Sequence, residues 1–191
     1  MKHSLGANTL ASPTPVWIIG TYDKKGKPNI MTAAWVGICC SKPPCVSVSL
    51  RKATYTYGNI VERKAFTVNI PRETDVRESD RIGTVSGKTV DKFLISKLTP
   101  VKSDIVDAPY VEEFPLVLEC KVIHTIEIGL HTTFIGEVMD VKADSSVLNS
   151  EGLPDMKKIK PFLFDPGNGT YYRVGANLGQ AFSIGKSTRA K

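Results

Sequence analysis

Apolar positions in this chain recur mainly at every second residue and in short runs, a pattern that predicts strands. Residues 16–22 (VWIIGTY) are β-branched and aromatic, and the polar segment 23–28 ends them with Gly26 and Pro28. The run 30–38 is expected to fold back as the second arm of a β-hairpin. Pro43 and Pro44 stop that arm. Residues 45–50 (CVSVSL) then alternate apolar and small polar side chains, as a strand with one buried face does. A helix is predicted over 54–64 (TYTYGNIVERK), with the Thr54 hydroxyl in the N-cap position.

Residues 65–70 (AFTVNI) predict a further strand closed by Pro71, and the charged segment 73–81 predicts a surface helix. Gly83 and Gly87 mark a loop beyond it. Two long strands are expected over 116–128 and 131–141, joined by a two-residue turn at Gly129-Leu130. Pro154, Pro161 and Pro166 then punctuate a loop region. A short strand follows near 171–174, and the small, polar, basic tail 185–191 is expected to fray. About six strands joined by hairpins, with few helices, predict an all-β fold with minor α and a closed antiparallel barrel.

Composition narrows the picture. The 191 residues suit one domain, 1–191, with its core over about 14–185. No run approaches the roughly 18 apolar residues that span a bilayer, and the N-terminus has no apolar signal region. A cytoplasmic protein is expected, with no membrane partner. The net charge of +6 is uneven: residues 1–100 carry 15 Lys and Arg against 7 Asp and Glu, and residues 101–191 carry 10 against 12. The positive residues are dispersed without a long like-charge run, so no nucleic-acid partner is expected.

Several tempting motifs fail on spacing. Gly83 to Thr89 (GTVSGKT) has three residues between its glycines where a phosphate-binding P-loop has four. Cys39 and Cys40 are adjacent, so they do not match zinc-ligand spacing; Cys120 and His124 share one face of a strand-like run, and His124 reads as a satisfied histidine. No metal site is expected, and the four cysteines read as reduced thiols. A redox role for Cys39 or Cys40 stays open. The histidines His3, His124 and His131 have no nucleophile at a convincing spacing, so nothing supports a hydrolase. The Asn168-Gly169-Thr170 sequon reads as a turn.

The segment 29–57 holds more chemistry. A flat, anionic organic cofactor such as a flavin mononucleotide needs hydroxyls, N–H groups and a cation around its phosphate. Its ring needs close backbone approach and apolar or aromatic walls. Thr32, Ala33 and Ala34 are small and stand beside Trp35; Ser49, Leu50 and Arg51 end the alternating strand. Thr54 and Thr56 stand at a helix N-terminus, which favours anions. The same residues read equally as small strand positions and a helix cap.

The motifs occur in a recognisable order. Asn29-x-x-Thr32-Ala33-Ala34-Trp35 precedes Ser41-Lys42-Pro43-Pro44 and residues 46–50, then Arg51-Lys52-x-Thr54-x-Thr56, then Phe66-Thr67-Val68-Asn69. Ser86-Gly87, Asp91-Lys92-Phe93 and Tyr172-Arg173-Val174-Gly175 follow. This order resembles the flavin reductase-like, FMN-binding split-barrel family, and within it the flavoredoxin subgroup, over residues 14–185. The resemblance implies a six-stranded antiparallel Greek-key split barrel with short flanking helices. It also implies a homodimer with one FMN per protomer near the subunit interface. It places Thr32, Ala33, Ala34, Trp35, Ser49, Leu50 and Arg51 on the ring and ribityl chain, and Thr54, Thr56 and Lys92 on the phosphate. Asn69 and Ser86 are further implied contacts.

The implied function is electron transfer of the flavoredoxin type, served by a redox partner protein. One alternative is an NAD(P)H-dependent flavin reductase, an oxidoreductase that supplies reduced flavin to a partner. Another is a flavin- or haem-binding split-barrel module without turnover. The absence of a Rossmann-type nicotinamide fingerprint does not separate these, because nicotinamide can stack transiently on an exposed flavin face.

Overall fold

The computed structural model of the chain describes residues 1–186. In chain order the strands are β1 (Thr14–Pro15), β2 (Trp17–Tyr22), β3 (Pro28–Ala33), β4 (Val36–Ser41) and β5 (Pro44–Arg51), followed by helix α1 (Tyr55–Arg63) and β6 (Ala65–Ile70). Helices α2 (Val76–Thr84) and α3 (Lys92–Ser96) precede β7 (Pro100–Lys102), β8 (Pro109–Val111), β9 (Leu116–Ile128) and β10 (His131–Ala143). The last elements are α4 (Met156–Ile159), β11 (Phe162–Asp165) and β12 (Thr170–Arg173).

The main sheet is antiparallel and seven-stranded, in the order β3-β2-β6-β9-β10-β5-β4. Edge strand β3 also comes round to touch β5, so the sheet curls into a barrel left open between its edges. Alternation fills the inside: Ile19, Val46, Val48, Leu50, Phe66, Val68 and Phe134 pack together with Ile60 of α1. A fully buried side chain of this size contributes about 1.5–3 kcal/mol, whereas an exposed ion pair contributes about 0–1 kcal/mol. The core therefore outweighs pairs such as Lys24–Glu62, which are open to solvent. A second core of Ile18, Ile30, Ile82, Phe93, Val111 and Phe114 covers the outer face of β2 and β3 with α2, α3 and β8.

The fold has more strands than the six expected. The run 30–38 is not one strand: it breaks at Ala34-Trp35 into β3, which pairs with β2, and β4, which pairs with β5. Those partners lie toward opposite edges of the sheet, so the corner carries the chain across the opening. Segment 73–81 is a short 3-10 turn leading into α2, which buries Ser79 and Ile82 against the sheet and is therefore only half a surface helix. The hairpin β7–β8 and the separate three-stranded sheet β1-β11-β12 form by main-chain pairing in stretches with little alternation. The turn at Gly129-Leu130 is as expected, with Gly129 at φ 51°. Of the tail expected to fray, Gly185 and Lys186 belong to an exposed 3-10 turn, and residues 187–191 lie outside the described residues.

No helix among the described residues is long and apolar enough to cross a membrane. All four cysteines are free, Cys39 and Cys40 exposed and Cys45 and Cys120 buried.

Candidate functional site

The corner between β3 and β4, the end of β5 and the start of β10 together form one wall of a cavity of about 390 Å³. Thr32, Ala33, Ala34, Trp35, Ser49, Leu50, Arg51 and Thr54 line it. Main-chain bonding fixes the corner, since the Ser49 N–H donates to the Trp35 carbonyl at 2.9 Å. The Ser49 and Thr133 hydroxyls share a 2.8 Å hydrogen bond across β5 and β10. The rings of Trp35 and His131 lie nearly parallel, with centroids 6.4 Å apart. The lining also includes Asp80 and Gly83 of α2, Phe164 of β11, Tyr171 of β12 and Gly169 from the turn between those strands. The Tyr171 hydroxyl donates to Asp80 Oδ1 at 2.9 Å. Burial, helped by that carboxylate, pushes Tyr171 up to about 12, so it stays a neutral donor at physiological pH.

A second cavity, of about 400 Å³, shares Met31, Arg51, Thr54, Gly83 and Thr84 with the first, so the two form one continuous cleft. Its lining is polar: Thr54, Thr56, Ser86, Gly87 and Lys92 join Arg51. Thr54 caps α1 by accepting from the Tyr57 N–H at 3.3 Å. The earlier first-turn N–H groups of Tyr55 and Thr56 have no partner within the helix, and a helix N-terminus favours negative charge. Thr56 Oγ1 accepts from the Asn29 amide at 3.0 Å, which leaves its own proton to donate. Asn29 Oδ1 is buried without a hydrogen-bond partner. A Cβ at Gly87 would lie 2.0 Å from that oxygen, so the loop can seat here only with glycine. Lys92 is buried, donates to the Ile82 carbonyl at 2.8 Å, and is brought down to about 8 by desolvation.

A family model for the flavin reductase-like domain matches residues 9–168. The chain belongs to the flavin reductase-like family. Among solved structures it is similar to flavoredoxin of Desulfovibrio vulgaris (Miyazaki F), with 57% identity, a TM-score of 0.93 and coverage of 97% of this chain and 100% of that one. It is also similar to flavoredoxin from Methanosarcina acetivorans, at 33% identity and a TM-score of 0.92, with 98% of each chain covered. A ferric-chelate reductase (NAD(P)H) of Archaeoglobus fulgidus is 30% identical over 146 residues, covering 74% of this chain and 85% of that relative. Membership of the flavin reductase-like family makes the chain a flavin-binding protein with a split-barrel fold.

The cleft gathers every expected site residue of this family member except one. Asn69 is the exception and stands corrected. Its amide donates to the Ile18 carbonyl and Thr67 Oγ1, both at 2.9 Å, and its Oδ1 accepts from the Val111 N–H at 2.8 Å. It is fully buried on the outer face of β6, where it clamps β8 to the sheet, away from the cleft. Lys92, which the resemblance places on the phosphate, is buried in the wall of the polar half. Asp80, His131, Phe164 and Tyr171 were not expected to line the cleft. The last two come from β11 and β12, and the aromatic content of residues 162–172 is the one signal in the sequence that could have raised them.

Proposed function

We propose that the continuous cleft holds one FMN and that the protein is an electron carrier of the flavoredoxin type. The observation that carries this reading is the division of the cleft into two chemically distinct halves. One half has small residues for close backbone approach and aromatic side chains; the other has two cations, five hydroxyl-bearing residues and an open helix N-terminus. The donor set fits the ligand: a phosphate monoester is satisfied by charge-assisted bonds from Arg51 and Lys92 and by Thr54, Thr56 and Ser86. Trp35, Ala33, Ala34 and the Ser49–Arg51 main chain would hold the ring, whose bound form supplies hydride and electron chemistry.

The chain's own residues then position and shield. Trp35 and Tyr171 restrict water in the cleft, and the neutral Tyr171 hydroxyl is held in place by Asp80. Purified protein should be yellow, with bound FMN quenched in fluorescence. A colourless protein that takes up no added FMN overturns the flavin reading. The similarity to a ferric-chelate reductase (NAD(P)H) favours a second reading, direct reduction by a nicotinamide. Anaerobic stopped-flow mixing decides: rapid bleaching with NADH or NADPH supports the reductase, and inertness supports the carrier.

Two partners belong to this reading. A homodimer is favoured by the uncovered apolar strip Ile123, Ile126, Ile128 and Leu130. Ile128 is the register partner of His131, which lines the cleft, so the strip starts at the cleft's rim. An acidic redox protein is favoured by Lys24, Lys25, Lys52 and Lys88, which line a third cavity that shares Thr54 and Tyr55 with the polar half of the cleft. Transfer to such a partner should slow steeply with added salt.

A further inference from the structure

Three of the four cysteines sit on the β4–β5 hairpin, outside the cleft. The register places Cys40 directly opposite Cys45, while Cys39 falls in the irregularity between Ile38 and Cys40 and has no partner across the ladder. Directly opposed residues of an antiparallel pair stand about 4.5–5.5 Å apart at Cα. That spacing lies inside the range of about 4.4–6.8 Å that a disulfide closes. Burial is the main cause that pushes the Cys45 thiol up, and the nearby Cys40 and Cys39 thiols add to the rise. Cys40 is exposed and Cys45 is only 3% exposed, so one thiol meets solvent reagents and the other waits behind it.

We propose that Cys40 and Cys45 form a reversible thiol–disulfide couple that staples the β4–β5 hairpin. The oxidant is a low-molecular-weight disulfide. The Cys40 thiolate attacks one of its sulfurs, the reagent's S–S bond breaks, and one small thiolate leaves. The Cys45 thiolate then attacks the Cys40 sulfur and displaces the second small thiolate. Two electrons pass from the protein thiols to the reagent's sulfurs, and the two protons released end on the two small thiols.

Position in the fold gives the staple a consequence. Strand β4 is an edge strand whose one ladder partner among the described residues is β5, and it begins beside Trp35 of the cleft. Cys45 is four residues along β5 from Ser49, about 13 Å at a strand's rise, which is too far for contact with a ring held in the cleft. The couple therefore exchanges with small thiols and disulfides, independently of the flavin. It adds a second two-electron centre to the chain.

The test uses the whole protein, treated with excess oxidised glutathione, then denatured in N-ethylmaleimide so that buried thiols are also alkylated, and mapped by mass spectrometry. The expected result is two alkylated cysteines in place of four, a Cys40–Cys45 linked peptide, and return of all four thiols with dithiothreitol. Cys39→Ser should behave as wild type, and Cys45→Ser should retain glutathione on Cys40. A stable glutathione adduct on Cys40 of the unmutated protein, a link to Cys39 or Cys120, or four reactive thiols after treatment would each overturn the proposal. FMN absorbance of the same samples reports separately on the cleft.

Discussion

Lys92 donates its ammonium hydrogen to the carbonyl oxygen of Ile82 at 2.8 Å, inside the wall of the polar half of the cleft. One carbonyl does not replace the hydration that a buried ammonium loses, and desolvation lowers Lys92 from 10.5 to about 8. Between those two values the unfolded chain binds more protons than the folded apoprotein, so folding stability rises with pH across that window. Below about 8 the penalty of burying the charge is complete. Thermal melts of apoprotein should show this rise, and Lys92→Met should remove it. A phosphate restores the charge, so binding takes up a proton above pH 8 and FMN affinity should fall by up to about tenfold per pH unit. Fluorescence titrations from pH 7 to 10 measure the slope; equal slopes in wild type and Lys92→Met would remove Lys92 from the phosphate site.

Gly87→Ala should uncouple the loop from the cleft floor. The added Cβ would meet Asn29 Oδ1 at 2.0 Å and the Tyr55 ring at 2.8 Å. Asn29 is buried and bonded to Thr56, so relief moves the loop or breaks that bond. Asn29→Ala should partly restore space without restoring the bond. FMN affinity is expected to drop at least tenfold in Gly87→Ala, about 1.4 kcal/mol, with the far-ultraviolet circular dichroism unchanged. Unaltered affinity would place the loop outside the binding site.

The sequence made local features readable and tertiary ones not. Alternation over 45–50 and the Thr54 cap depend on near neighbours, and both stand in the structure. The break at Ala34-Trp35 has no Gly or Pro to mark it, because it is decided by which distant strand each half joins. The resemblance places Asn69 at the site, but its side chain is taken by β8, which lies in a stretch with little strand signal before it pairs with β7. Tyr171 and Asp80 are 91 residues apart, and nothing along the chain announces their hydrogen bond. Nothing beside Lys92 in the sequence marks its burial, which depends on how the segment after α2 folds back over the sheet.

Arg51 lines both halves of the cleft and ends β5 opposite His131. A fixed positive charge beside the bound ring favours the form that carries more negative charge, which raises the midpoint potential. Arg51→Ala should therefore lower the potential by roughly 30 mV, about 1.4 kcal/mol for a two-electron couple. Affinity for FMN should fall as well. Spectroelectrochemistry on reconstituted protein separates the two effects. A weaker affinity with an unchanged potential would assign Arg51 to the phosphate alone.

Ile128 precedes the tight turn of the longest hairpin, Leu130 lies in it, and they are 61% and 62% exposed. Neither contributes to the cores of the isolated chain, so replacing both with Lys should cost the monomer little. In a dimer built on this strip, two added charges per protomer would face an apolar surface and leave their desolvation uncompensated. Sedimentation velocity should then show the wild type as a dimer and Ile128→Lys/Leu130→Lys as a monomer with an unchanged thermal midpoint at high dilution. Because the strip begins beside His131, the monomer should also release FMN faster. A variant that stays dimeric would place the subunit contact on another face.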